Sequence, residues 1–134
     1  NQRPSNVIYD RENSAISRIA EEDIDWDASF KDMQWFHVSG ITPALSQNCA
    51  YETIKAACIA KDRGLTVSFD LNYRAKLWNY GVDAYSVMCK IAQYADILIG
   101  NEEDYQKSLG IKGPSAIGAQ QLDIDAYQEM CETA

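Results

Sequence analysis

The chain has 134 residues, 12 basic against 20 acidic side chains, a formal net charge of -8 and 46% hydrophobic residues. That describes one folded domain long enough to bury a core, and it excludes both a disordered tail and two complete domains. The acid excess would repel a phosphate backbone, and no apolar run approaches the roughly 18 residues of a membrane span, so neither a nucleic acid nor a membrane is an expected partner.

The chain begins at Asn1 instead of a methionine and is expected to be an internal fragment. Cys49, Cys58, Cys89 and Cys131 are too widely spaced for a paired C-x-x-C metal framework, and His37 is the only histidine. The cysteines read as reduced, mostly buried thiols of a cytoplasmic protein.

In chain order, residues 7–9 and 15–19 are two short strand-like pieces around a polar turn, read as a hairpin or edge pair. Residues 33–40 (MQWFHVSG) form an apolar, aromatic strand stopped by Gly40. Pro43 suits a short first turn, because a helix start leaves the N–H that proline lacks unused. A helix over residues 46–63 puts Ala50, Ile54, Ala57, Cys58 and Lys61 on one stripe, with Gly64 where a left-handed cap belongs. Residues 65–72 (LTVSFDLN) make the second strand, and residues 83–94 a helix with Ala84, Val87, Met88 and Ile91 inward. Residues 95–101 (ADILIGN) make the third strand. A short helix over 101–109 ends at Gly110, and a loop through Gly113, Pro114 and Gly118 leads to a helix over 123–132 with Ile124, Tyr127 and Cys131 on one side. Strands alternating with helices give an α/β domain with a largely parallel sheet, and strands apolar on both faces suit helices on each side.

In such sheets ligands bind beyond the carboxyl ends of the strands, and the segments there are polar: SGITPAL, DLNYRAKLW and GNEEDY. Asp70, Asn72 and Arg74 alternate at a spacing of two and would leave an extended strand end on one face. They read either as a site, with the guanidinium holding a carboxylate or phosphate, or as a local Asp70–Arg74 ion pair that shapes the loop. Asn101, Glu102, Glu103 and Asp104 read as a helix cap, where negative charge meets the positive end of the helix dipole, or as carboxylates around a hydrated Mg²⁺. Arg11 is either an anion-binding group or a surface residue. His37 reads as a packed or hydrogen-bonded core residue, and Trp26, Phe30, Trp35 and Phe36 as core or interface.

Four stretches, VIYDRENSA (7–15), WFHVSGITPALS (35–46), FDLNYRAKLW (69–78) and ILIGNEEDY (97–105), resemble the middle of a PfkB (ribokinase-like) carbohydrate kinase over nearly the whole chain. D-x-N-x-R-x-x-L-W with N-E-E after the next strand is the specific part; tyrosine and arginine ahead of S-A, with a later S-G-I-T, favour the ketodeoxygluconate branch. The resemblance implies a Rossmann-like three-layer α/β/α fold with a mostly parallel sheet, incomplete at both ends. The N-terminal lid and substrate region and the C-terminal nucleotide and catalytic segment would then lie outside the chain. It implies γ-phosphoryl transfer from ATP, with Mg²⁺, to the acidic sugar 2-keto-3-deoxygluconate, giving its 6-phosphate in a cytoplasmic, oligomeric enzyme.

By motif, Tyr9, Asp10, Arg11, Ile41 and Arg74 would contact the sugar, and Asn72, Tyr73 and Arg74 the nucleotide. Asn101, Glu103 and Asp104 would support the Mg²⁺ water shell. Arg74 would also stabilise the transition state, while the family's G-A-G-D base is absent, so the chain alone is expected to be inactive. The family has glutamate where this chain has Asp104, which leaves Glu103 and Asp104 as alternatives. A fructokinase- or ribokinase-type enzyme is the nearest alternative, disfavoured because a buried Arg11 needs an anionic partner. A receiver-like binding domain with Asp70 as phosphoacceptor would want paired acids after its first strand and a lysine after its last; neither arrangement is present.

Overall fold

The computed structural model describes residues 10–114 and 124–134. Strands β1 (Trp35–Ser39), β2 (Thr66–Asp70) and β3 (Ile97–Ile99) form a parallel sheet in the order β1-β2-β3. The register opposes Val38 to Phe69 and Phe69 to Leu98. Because side chains alternate across a strand, this places Phe36, Val38, Val67, Phe69 and Leu98 on one face. Pairing runs on past the strand ends, with Gly40 N–H donating to Asp70 O and Leu71 N–H to Ile99 O, both at 2.8 Å.

Among the described residues five α-helices accompany the sheet: α1 (Trp26–Ser29), α2 (Gln47–Asp62), α3 (Ala84–Ala92), α4 (Glu102–Leu109) and α5 (Ile124–Thr133). Their starts follow local chemistry. The side chains of Ser46, Asp83 and Asn101 each accept the backbone N–H three residues on, at Cys49, Ser86 and Asp104. Substitution of such a cap by alanine costs about 1 kcal/mol. Gly64 and Gly110 follow α2 and α4 at φ of +77° and +70°, where a Cβ is unfavourable.

α2 and α3 close over Val67, Phe69, Leu71, Met88 and Ile91, all fully buried. Burying a side chain of that size stabilises the fold by about 1.5–3 kcal/mol. α2 buries a broader face than one stripe: Ala50 and Ala57 face one cluster, and Ala56 and Ala60 a second formed with Phe30, Leu65 and Val67. Alanines let the helix lie close to the sheet, so both flanks are covered. Cys58 is only half-buried and Lys61 is exposed, paired with Asp96.

Several expectations change. Residues 15–19 are not a strand: Ile16–Arg18 is a 3-10 turn, with Ser14 Oγ accepting from Ser17 N–H, and residues 7–9 lie outside the described residues. In α5 Met130 is buried and Tyr127 packs half-buried on the same cluster as expected, while Ile124 is 73% exposed and Cys131 is exposed. Among the cysteines only Cys49 is buried; Cys58 and Cys89 are half-buried, and all four are free. Trp26, Phe30 and Phe36 do stack together, with Trp26 and Phe30 centroids 5.3 Å apart. Trp35 and His37 point the other way, both exposed, and both reach Ser68 Oγ at 2.8 Å. His37 is thus hydrogen-bonded but not in the core. Among the described residues that face of the sheet carries no helix, and Ile97 and Ile99 on it are exposed too.

Candidate functional site

The three segments leaving the carboxyl ends of the strands meet through side chain to backbone ties. After β1 the chain folds into successive turns, with Thr42 N–H donating to Ser39 O and Leu45 N–H to Thr42 O. After β2, Leu71 is buried and Asn72 then turns at φ +37°. That left-handed residue breaks the extended run on which a shared face for Asp70, Asn72 and Arg74 depended. Asparagine adopts this conformation more readily than most residues, and here its Nδ2 donates across to Ser39 Oγ at the end of β1 at 3.3 Å. Among the described residues Asp70 and Arg74 form no ion pair; the Arg74 guanidinium donates from Nη1 to Tyr73 O at 2.7 Å.

The N-terminus of α4 completes this wall. Asp104, 7% exposed, accepts from Asn101 N–H through Oδ2 at 3.1 Å and from Tyr73 N–H through Oδ1 at 2.9 Å. One carboxylate therefore closes the capping box of α4 and anchors the loop after β2. Glu103 beside it is exposed and makes no ion pair or hydrogen bond among the described residues. Tyr73, Arg74, Lys76, Asn101, Glu103 and Asp104 line a cleft of about 290 Å³.

A larger cleft of about 650 Å³ lies between residues 10–18 and the turn after Arg74, lined by Asp10, Arg11, Arg18, Leu45, Lys76 and Tyr80 among others. Arg11 and Arg18 are exposed, so Arg11 is not the buried cation on which the case against a neutral sugar rested, and neither guanidinium has a hydrogen bond or ion pair among the described residues. Tyr80 donates from its hydroxyl to Pro43 O at 2.6 Å, and burial, with the Cys49 thiol nearby, pushes its pKa up to about 12. It stays a donor and pins the turn after β1 to the loop after β2. The 3-10 turn Ala75–Leu77 is held by the buried Leu77 side chain, and Asn79 Nδ2 donates to Lys76 O at 2.8 Å. Leu45 supplies the wall from the turn after β1; Ile41 is half-buried and does not line the cleft. Tyr9 lies outside the described residues.

The profile of the pfkB family carbohydrate kinases matches residues 1–133. The chain belongs to the PfkB family. It is 36% identical over 123 residues, 92% of the chain, to a 2-dehydro-3-deoxygalactonokinase of Haloferax volcanii, of which it covers 38%. It is 33% identical over 111 residues to a 2-dehydro-3-deoxygluconokinase of Thermoproteus tenax, covering 82% of the chain and 33% of that protein. A solved 2-dehydro-3-deoxygluconokinase from Thermotoga maritima superposes with a TM-score of 0.83 at 44% identity, over 98% of this chain and 38% of that one. The chain thus spans only 33–38% of the length of these PfkB relatives.

Among the positions that the PfkB resemblance singles out, Asp10 and Arg11 stand at the larger cleft and Tyr73, Arg74, Asn101, Glu103 and Asp104 at the smaller. Asn72 is a neighbour of the second cleft but does not line it. Sequence reading missed Arg18, Lys76 and Tyr80. Lys76 carried a signal, a cation two residues after Arg74 in the same loop; Arg18 and Tyr80 carried none, because only the fold brings residues 18 and 80 to one cleft.

Proposed function

We propose that the protein to which this chain belongs transfers the γ-phosphoryl group of ATP to the 6-hydroxyl of 2-keto-3-deoxygluconate. The observation that carries this reading is a pair of cation-bearing clefts at the carboxyl ends of the strands. One presents Arg11 and Arg18 to an acidic sugar; the other presents Arg74 beside Glu103 to a metal-bound phosphate chain. Arg74 can hold two phosphate oxygens in parallel, and phosphoryl transfer depends mainly on positioning and on positive charge around the transferred group.

The residues fit Mg²⁺ held through water. Among the described residues no group of three or more carboxylate, histidine or cysteine side chains stands ready to cage a metal. Both Asp104 oxygens already accept backbone N–H groups, so on this reading the water shell is assigned first to the exposed Glu103 carboxylate, with the remaining lone pairs of Asp104 as the alternative. Bound Mg²⁺ would neutralise phosphate charge. The base that takes the sugar proton lies, on this reading, outside residues 1–134, together with the lid and the amides around the γ-phosphate. On this reading, as the family resemblance implies, the setting is the cytoplasm and the protein a homo-oligomer. No helix among the described residues is long and apolar enough to cross a membrane.

The Haloferax relative's name favours one second reading, the C4-epimeric galactonate substrate. Comparing kcat/KM of the complete protein for the two acidic sugars, fructose and ribose tests both. The gluconate epimer is expected to be preferred over the neutral sugars by at least 100-fold. Equal or better use of a neutral sugar overturns the assignment, and preference for the galactonate epimer selects the second reading.

A further inference from the structure

The two clefts share one residue. Among the described residues Lys76 alone lines both the 650 Å³ cleft of Arg11 and the 290 Å³ cleft of Arg74 and Glu103. From this juxtaposition we infer that Lys76 is a catalytic residue of the phosphoryl transfer, its ammonium placed on the group that passes from one cleft to the other. The inference rests on the kinase reading above but not on which sugar is used.

The local structure supports a fixed station for Lys76. Its neighbours are anchored on both sides: Arg74 O accepts from Leu77 N–H at 2.9 Å, Leu77 is 7% exposed, and Asn79 both donates to Lys76 O and bonds Leu77 O through its N–H at 2.9 Å. Tyr80 ties the end of the same turn to Pro43 O. A pinned backbone carrying a flexible four-carbon stem delivers a compact charge over a short range while the backbone stays still.

The charges around it divide the work. Arg11 and Arg18 lie only on the larger cleft, and Asp10 and Glu12 beside them offset part of their charge. Arg74 lies only on the smaller cleft, with Glu103. A phosphoryl group in transit passes between the two sets while Arg74 still holds oxygens on the donor side, and it carries its spread negative charge at that moment. A cation at the seam meets that charge in the transition state more than in either bound ground state, which is the condition for raising kcat and not merely lowering KM.

The test uses the complete protein with Lys76→Met and Lys76→Arg, on whichever sugar the wild type phosphorylates best. Lys76→Met is expected to lower kcat about 100-fold, the scale of losing one donor at a developing charge, with KM for ATP and for sugar within about threefold of wild type. Lys76→Arg should recover at least a tenth of the wild-type kcat, and both variants should be fully folded at the assay temperature, as thermal unfolding reads. A Lys76→Met enzyme with unchanged kcat overturns the inference, and so does a loss confined to KM for an acidic sugar, which would make Lys76 a carboxylate contact. If Lys76→Met fails to fold, Lys76→Gln carries the same expectations. A wild type that prefers a neutral sugar defeats the substrate assignment alone, since the Lys76 comparison then runs on that sugar; a wild type without any kinase turnover defeats both.

Discussion

Glu103 and Asp104 are adjacent acids in the first turn of α4, yet the structure gives them opposite work. Asp104 accepts two backbone N–H groups, from Asn101 and Tyr73, while almost fully buried. Removing the carboxylate in Asp104→Ala leaves both donors without their partner. At about 1.5 kcal/mol for each bond to a charged acceptor, less roughly 0.5 for the better helix propensity of alanine, the expected loss is about 2.5 kcal/mol. Glu103→Ala loses only an exposed charge near the helix N-terminus, about 0.5 kcal/mol. Equilibrium urea unfolding of the complete protein, followed by tryptophan fluorescence, measures both. Kinetics should reverse the order of the two effects per unit of stability lost: Glu103→Ala, only slightly less stable than wild type, should lose at least tenfold in kcat/KM and require more Mg²⁺ for half-saturation. Two results would refute the reasoning. One is an Asp104→Ala protein as stable as wild type, which would mean that the tie to Tyr73 N–H contributes nothing. The other is a Glu103→Ala enzyme with normal Mg²⁺ dependence, which would remove the only free carboxylate assigned to the water shell.

Arg74→Ala should lower kcat/KM by about 3 kcal/mol of transition-state stabilisation, with Arg74→Lys recovering part of it, since a point charge lacks the two-pronged fork; wild-type kinetics in Arg74→Ala would reduce the residue to its bond with Tyr73 O. Gly40→Ala should destabilise by about 3 kcal/mol, because overpacking acts here against backbone: the new Cβ would stand 2.1 Å from Leu71 O and 2.6 Å from Met88 Cε. A thermal midpoint equal to wild type would show that the ends of β1 and β2 yield easily. Tyr80, its pKa raised from 10.0 to about 12 by burial, favours the folded state fully below pH 10 and loses that contribution as pH rises from 10 to 12, because the unfolded chain gives up the proton first. Stability of Tyr80→Phe should therefore fall less steeply than wild type between pH 10 and 12, and parallel curves would contradict the burial of this hydroxyl.

The elements that could be placed from sequence are those whose signals act within a few residues. Ser46, Asp83 and Asn101 start helices and Gly64 and Gly110 end them, because a cap needs only a side-chain oxygen or a missing Cβ at one position. The apolar strands at 33–40, 65–72 and 95–101 were legible for the same reason, although each proved shorter, and the polar segments beyond their carboxyl ends pointed to where the clefts lie. Motif resemblance named Arg11 and Arg74 and left Glu103 and Asp104 as alternatives.

What the sequence left open depended on contacts between residues far apart in the chain. Residues 15–19 have strand-like composition, but among the described residues no strand pairs with them, and their backbone bonds close locally through Ser14 and Ser17 into a 3-10 turn. Asn72 looked like one tooth of an alternating strand end; it turns left-handed because Ser39 stands within reach of its amide and Asp104 holds the next backbone N–H. Sequence left Glu103 and Asp104 as alternatives; the capping bond from Asn101 N–H and the distant Tyr73 N–H together engage Asp104, while Glu103 makes no side-chain hydrogen bond or ion pair among the described residues. Lys76 joins two clefts for the same kind of reason: which cavities a side chain borders is fixed by the packing of residues 10–18, 73–80 and 101–104 against one another, and no local pattern encodes that distance.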